Sequence, residues 1–158
     1  MNRLMEQKWP WIEGTHAIRL QLLDGLTDAD LAFTPGGQAM TLGALCREIG
    51  EIEFSYLQSF KTFTQDFDYR NTTAGLDQSV AQLKAWSQQM DDELKAVIEK
   101  MGEAELAKSV ARPGGFEAPV DMQLDIYLQA LLIFLGKASI YLRTMNKTAP
   151  QAIQDWIG

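Results

Sequence analysis

The sequence predicts an all-α fold, an up-down bundle of four helices with a long crossover and a short C-terminal helix. Two observations carry this. Four long segments repeat apolar residues at steps of three, four and seven, the spacing of one helix face. No segment shows a convincing apolar–polar alternation of a half-buried strand. Segments of this kind bury their stripes only against one another, which is the packing of a helical bundle.

The first helix is expected from about Leu4 to Leu23, with Trp11, Ile18 and Leu22 at helical spacing. Pro10 lies early in the run, where a missing N–H costs nothing, so regular helix is expected from there. Asp24-Gly25 closes it as a C-terminal glycine does. Thr27 and Asp30 stand at capping-box distance for a single turn, which Pro35-Gly36-Gly37 ends. Thr41 is the expected N-cap of the second helix, Leu42 to about Phe60, whose stripe is Leu42, Leu45, Ile49, Ile52, Tyr56 and Phe60. Glu48, Glu51 and Glu53 interleave with that stripe, and Glu48 falls at its edge.

A polar, aromatic crossover from Thr62 to Gly75 carries Phe63, Phe67 and Tyr69. The third helix is expected from Leu76 to Met101, with Asp91-Asp92-Glu93 on its solvated side. The stretch from Ala104 to Val120 is irregular and turns at Pro113-Gly114-Gly115. Pro119 introduces the fourth helix, Asp121 is its expected cap, and it ends near Met145-Asn146. A short closing helix follows Pro150 through Trp156.

At 158 residues the chain is read as one domain, 1–158, long enough to bury roughly 70% of the surface its unfolded form exposes. The net charge of −7, from 21 acidic and 14 basic residues, disfavours nucleic-acid partners, because no basic cluster offsets it. The start lacks the design of a signal peptide. The longest apolar stretch, around Tyr127–Leu135, is interrupted by Gln129 and short of a membrane span. Cys46 is the only cysteine and fits a reducing compartment. The expectation is a cytoplasmic protein with no membrane contact.

The block Gly136-Lys137 with Tyr141-Leu142-Arg143, the Thr41-Leu42-Gly43 entry into helix two, and the Leu26 to Gly37 connection resemble the DinB-like superfamily of bacterial four-helix bundles. The resemblance implies a divalent metal, held by a His-x-x-x-His pair ahead of the glycine and a third histidine from the second helix. Some members are thiol-dependent transferases or isomerases, and many are homodimers. In this chain the matching positions are Ala130, Phe134 and Glu48. Neither alanine nor phenylalanine donates a lone pair, so no metal and no other cofactor is expected.

Ala130, Phe134, Lys137 and Tyr141 share one helix face. Either Phe134 fills the former metal pocket, with Ala130 making room, or the stripe lines a dry aromatic pocket with Lys137 and Tyr141 as polar handles. Lys137 is positioned to pair with Glu48. The candidate cleft is therefore Glu48, Glu51, Phe134, Lys137 and Tyr141. Other carboxylate pairs, Asp121 with Asp125 and Glu48 with Glu51, are at ligand spacing, but such pairs are common on exposed helices. His16, the sole histidine, is more simply structural or exposed than a ligand. Cys46 has no histidine beside it to activate it, and Trp9, Trp11, Trp86 and Trp156 read as packing residues.

The function expected is a non-catalytic binding or interaction module with a degenerate metal site, acting as a homodimer. The alternative is a transferase-like enzyme that takes a small molecule, such as a thiol conjugate, in the cleft between helices two and four. A third reading places a metal on new acidic ligands.

Overall fold

The computed structural model describes residues 2–157, so the ends of the expected 1–158 domain, Met1 and Gly158, lie outside the described residues. The fold is an all-α bundle. Its four long helices are α2 (Trp9–Asp24), α3 (Leu42–Thr62), α4 (Val80–Lys100) and α6 (Val120–Thr144), with short helices α1 (Arg3–Gln7), α5 (Glu103–Leu106) and α7 (Gln151–Ile157). α2 and α3 each pack against both α4 and α6. The second and fourth core helices, α3 and α6, are thus neighbours, while α2 and α3 meet across the diagonal.

The entry to the bundle is broken. α1 stops at Gln7 and α2 starts at Trp9, with Pro10 in its first turn. Asn2 caps α1 through Leu4 and Met5 N–H, and its amide nitrogen ties the end to Ile98 O at 2.6 Å. Trp9 rather than Trp11 is the core residue, since Trp11 is 67% exposed. The capping box at Thr27 and Asp30 forms on a 3₁₀ turn, Asp28–Ala32. Thr41 caps α3 as expected.

α3 runs to Thr62 and ends on Phe63, in the left-handed region at φ 58°. The crossover then returns close against the bundle. Gly43 is required where it does so, because a Cβ there would sit 1.9 Å from Asp77 O. Gly50 admits the ring of Trp86 from α4, which fixes how closely α3 and α4 approach.

The expected third helix is divided. Leu76–Gln78 is a 3₁₀ turn, and extended Ser79 caps α4 through Gln82 N–H. Asp91 is not on the solvated side of that helix; its side chain is only 14% exposed. The irregular stretch contains a two-stranded antiparallel hairpin, β1 (Ser109–Ala111) with β2 (Glu117–Pro119), turning at Pro113–Gly115. Three-residue strands are too short to show alternation, which is why the sequence gives no strand signal. β1 also holds the crossover, through Gln65 N to Ala111 O at 2.8 Å and Ala111 N to Phe63 O at 3.0 Å.

Asp121 does not cap α6. The helix begins at Val120 after Pro119, and Asp121 Oδ1 accepts only from the adjacent Met122 N–H. At 25 residues, α6 exceeds the apolar stretch read from the sequence and is long and apolar enough by composition to cross a membrane. Only 44% of its most apolar window is buried inside the bundle, so part of its apolar surface faces outward. Trp156 on α7 is 52% exposed and is not a packing residue.

Candidate functional site

α3 and α6 run side by side, and the expected cleft lies between them. Leu45, Glu48, Ile49 and Ile52 of α3 face Ala130, Ile133, Phe134 and Lys137 of α6 around a pocket of 170 Å³. Glu48, Ala130 and Phe134 therefore line one space. Phe134 is buried and forms its floor, being 3% exposed. Lys137 Nζ stands 3.9 Å from Glu48 Oε2 at the rim, with both side chains substantially exposed. An ion pair so placed contributes about 0–1 kcal/mol.

Two expected cleft residues lie elsewhere. The Tyr141 hydroxyl donates to Met40 O at 2.9 Å, and its ring meets Phe33 edge-on, so it pins the connection ahead of α3. Burial, with the negative charge of Glu48, pushes the Tyr141 hydroxyl's pKa up. Glu51 lies outside this pocket but next to Glu48 and Ile52 on the same face of α3. There it accepts from Asn71 N–H at 3.0 Å and stands near Arg47 and Arg70. It lines a second cleft of 420 Å³ with Met40, Ala44, Arg47, Phe67 and Arg70, and this cleft shares Glu48 and Ile52 with the first pocket. The two spaces are lobes of one groove over α3.

The other candidates resolve simply. Asp125 pairs with Lys8, whose ammonium also donates to the Asp121 carbonyl oxygen at 3.1 Å. Cys46 is buried, and burial pushes its thiol up to about 12, which keeps it protonated and unreactive at neutral pH.

The most polar constellation in the described residues sits in the core. His16 and Arg19 of α2, Glu53 of α3, Asp91 of α4 and Tyr127 of α6 meet at one level of the bundle, joining all four long helices. Arg19 is 1% exposed and donates to both Glu53 and Asp91. Burial opposes its charge, and the two carboxylates more than offset that. Burial also pushes Glu53 and Asp91 up, against the pull of Arg19. Burial lowers His16 to about 4, so its ring is neutral at pH 7. Asp91 Oδ1, 2.9 Å from Nδ1, needs a donor, which places the ring proton on Nδ1. Nε2 then accepts from the Tyr127 hydroxyl at 2.6 Å. Among the described residues, Glu53 Oε1 and Arg19 Nε have no hydrogen-bond partner.

The sequence profile of the DinB superfamily matches residues 12–133, most of the chain. The chain belongs to the DinB superfamily. A solved structure, the DinB-like protein YjoA of Bacillus subtilis, superposes with a TM-score of 0.67 at 14% identity, covering 85% of this chain and 90% of that one. At that identity the likeness shows the shared fold. No curated protein matches the chain.

The divalent metal that the superfamily resemblance implies does not fit the residues this member places in the groove. Of Glu48, Ala130 and Phe134, the positions matched by the resemblance, only Glu48 carries a donor; the facing wall of α6 is apolar apart from Lys137, which stands against that carboxylate. A lone oxygen ligand holds a transition metal weakly and without selectivity.

His16, Glu53 and Asp91 bring ligand-type atoms within 4.8 Å of one another. The cation in that cluster is the guanidinium of Arg19, bonded to both carboxylates. None of the five core side chains lines the groove.

Arg19, Glu53, Asp91 and Tyr127 escaped the sequence reading. A signal existed: each polar residue falls in step with the apolar positions of its helix. Arg19 lies between Ile12 and Leu22, Glu53 between Ile49 and Leu57, and Asp91 between Leu83 and Leu94.

Proposed function

We propose that this DinB-superfamily chain is a binding module that works without the metal implied for the family, with the groove over α3 as its binding surface. The observation that carries this is the content of the family positions. Glu48, Ala130 and Phe134 surround one small pocket whose walls are apolar and whose single carboxylate faces Lys137. Such a lining suits an apolar group with a few polar anchors rather than an ion. The thiol of Cys46 is buried and protonated and supplies no nucleophile to this groove. Elemental analysis of protein purified without chelators tests the reading. The expected result is no stoichiometric transition metal; about one nickel, zinc or iron per chain overturns it.

We propose further that the binding unit is a dimer joined through α6. Met122, Ile126, Ile133 and Ile140 recur along its outer face, and Ile133 and Ile140 are each 60% exposed. Ile126, Ile133 and Ile140 are spaced by sevens. Two copies set antiparallel about Ile133 place Ile126 of one opposite Ile140 of the other, a self-complementary contact of the kind a two-fold axis requires. Gly136, with open space beside it, flanks Ile133 and lets the helices approach.

A further inference from the structure

The larger lobe of the groove has the features of a built site for one kind of ligand. Its floor is a face of α3 formed by Ala44, Arg47, Glu48, Glu51, Ile52 and Ser55. Its walls are Met40 on one side and Phe67 with Arg70 on the other. Met40 and Phe67 are large apolar residues left 40% and 37% exposed, and both face this space.

The crossover wall is fixed before any ligand arrives. Tyr69 stacks on Phe54 with ring centroids 3.8 Å apart, and Phe67 meets Tyr56 edge-on. Glu51 accepts Asn71 N–H from the same segment. Arg70 is held by its own turn, since Nη1 donates to Phe67 O and Tyr69 O at 2.6 Å each. A guanidinium pinned in this way loses little freedom on binding.

Arg47 stands opposite. It lies 3.5 Å from Glu51 and 3.6 Å from Asp77 and makes no hydrogen bond among the described residues. Arg70 Nε is 3.9 Å from Glu51. One carboxylate thus sits between two guanidinium groups without using the forked N–H pair of either. Glu48, the other acid of the lobe, is taken up by Lys137. In a chain of net charge −7, this leaves an acid-balanced cleft in which, beside apolar walls, Arg47 and the Nε and Nη2 of Arg70 make no hydrogen bond among the described residues. A planar carboxylate is the partner that such a fork matches.

We propose that the groove binds a small monocarboxylate with an apolar body. The carboxylate sits at Arg47 and Arg70, the body lies over Ile52 between Met40 and Phe67, and the smaller lobe floored by Phe134 receives its far end. This rests on the groove being a binding surface and names the class of its ligand.

The test compares three probes with the same tail, octanoate, octylamine and octan-1-ol, titrated calorimetrically into the full chain. Octanoate is expected to bind about tenfold or more tighter than the other two, the size of one charge-assisted contact. Arg47→Gln is expected to remove that preference. It breaks no hydrogen bond and removes only the partly exposed ion pairs to Glu51 and Asp77, so an unchanged melting temperature shows that the loss is one of recognition. Arg47→Lys, which keeps charge and loses the fork, is expected to recover only part of it. Equal or tighter binding of octylamine or octan-1-ol overturns the anion assignment and leaves the groove as a binding surface. Binding by none of the probes, or an Arg47→Gln variant that still prefers octanoate, overturns the inference itself. Metal content is scored separately and bears only on the metal-free reading.

Discussion

Replacing Arg19 by methionine tests whether the core network is held together by its one permanent cation. Methionine is close in length and flexibility, so the substitution removes charge more than volume. It leaves Glu53, fully buried, and Asp91, with a side chain 14% exposed, facing each other without the guanidinium that both accept from. Stranding a buried charge in this way costs about 3–5 kcal/mol. With an unfolding entropy of roughly 2.1 cal/mol/K per residue, that is a fall in melting temperature of roughly 9–15 °C for a domain of this length.

The loss carries a pH signature. Burial already raises Glu53 and Asp91, and Arg19 is the leading influence pulling both down. Without it, both pKa values rise further in the folded state. A carboxyl whose folded pKa exceeds its unfolded one contributes stability below the ordinary carboxylate range and loses it as pH rises through the folded value. The variant's deficit is therefore expected to be smaller at pH 5 than at pH 7.5. Urea denaturation at both values, followed by circular dichroism, measures it. A loss under about 1 kcal/mol that is equal at both pH values would refute the account of Arg19 as the network's necessary cation.

Three further outcomes follow from the same geometry. Phe134→Ala is expected to cost about 3–5 kcal/mol in chemical denaturation, because the ring is buried and floors the smaller lobe; a variant as stable as the parent would mean the ring is not part of the core. His16, lowered from 6.5 to about 4 by burial, contributes stability that is present above 6.5 and lost as pH falls toward 4. The destabilisation caused by His16→Gln should accordingly shrink across that window, by up to about 3 kcal/mol, and a constant deficit would mean the folded ring is not held neutral. Ile133→Glu with Ile140→Glu is expected to convert a dimer to a monomer in light scattering coupled to size exclusion, whereas a parent that already elutes near 17.7 kDa at every concentration ends the dimer proposal.

The bundle was legible because its signals are local. Thr27 with Asp30, and Thr41, mark helix ends by bonds made within a few residues and form as expected, whereas α2 ends before Gly25 with that residue right-handed at φ −81°, not in the left-handed form of a C-terminal glycine. The periodic runs of α3 and α4 give the helices for the same reason. Errors arose where an outcome depends on register between helices. Trp11 and Trp9 are two residues apart, and which one enters the core is decided by how α2 packs after the break at Lys8. The apolar stripe of α3 is rotated from the one read in sequence, toward Cys46, Glu53 and Leu57 and away from Ile52. That rotation hides Glu53 and leaves Ile52 in the groove. The pairing of Glu48 with Lys137 was legible because the matched family positions already placed α3 against α6 there.

Where the helices are tied together bears on what the groove is free to do. The polar link across the groove is an exposed pair at 3.9 Å, of small energetic worth. The polar link through the core joins four helices by fully buried groups, and cutting it is costly. A bundle that relied on a metal between α3 and α6 would couple its stability to the occupancy of that site. This chain holds its helices in register elsewhere, through Arg19 and its partners. Arg47, Glu48 and Lys137 of the groove make only partly exposed ion pairs and can then vary at little cost in folding, whereas Arg70 is tied to its own turn.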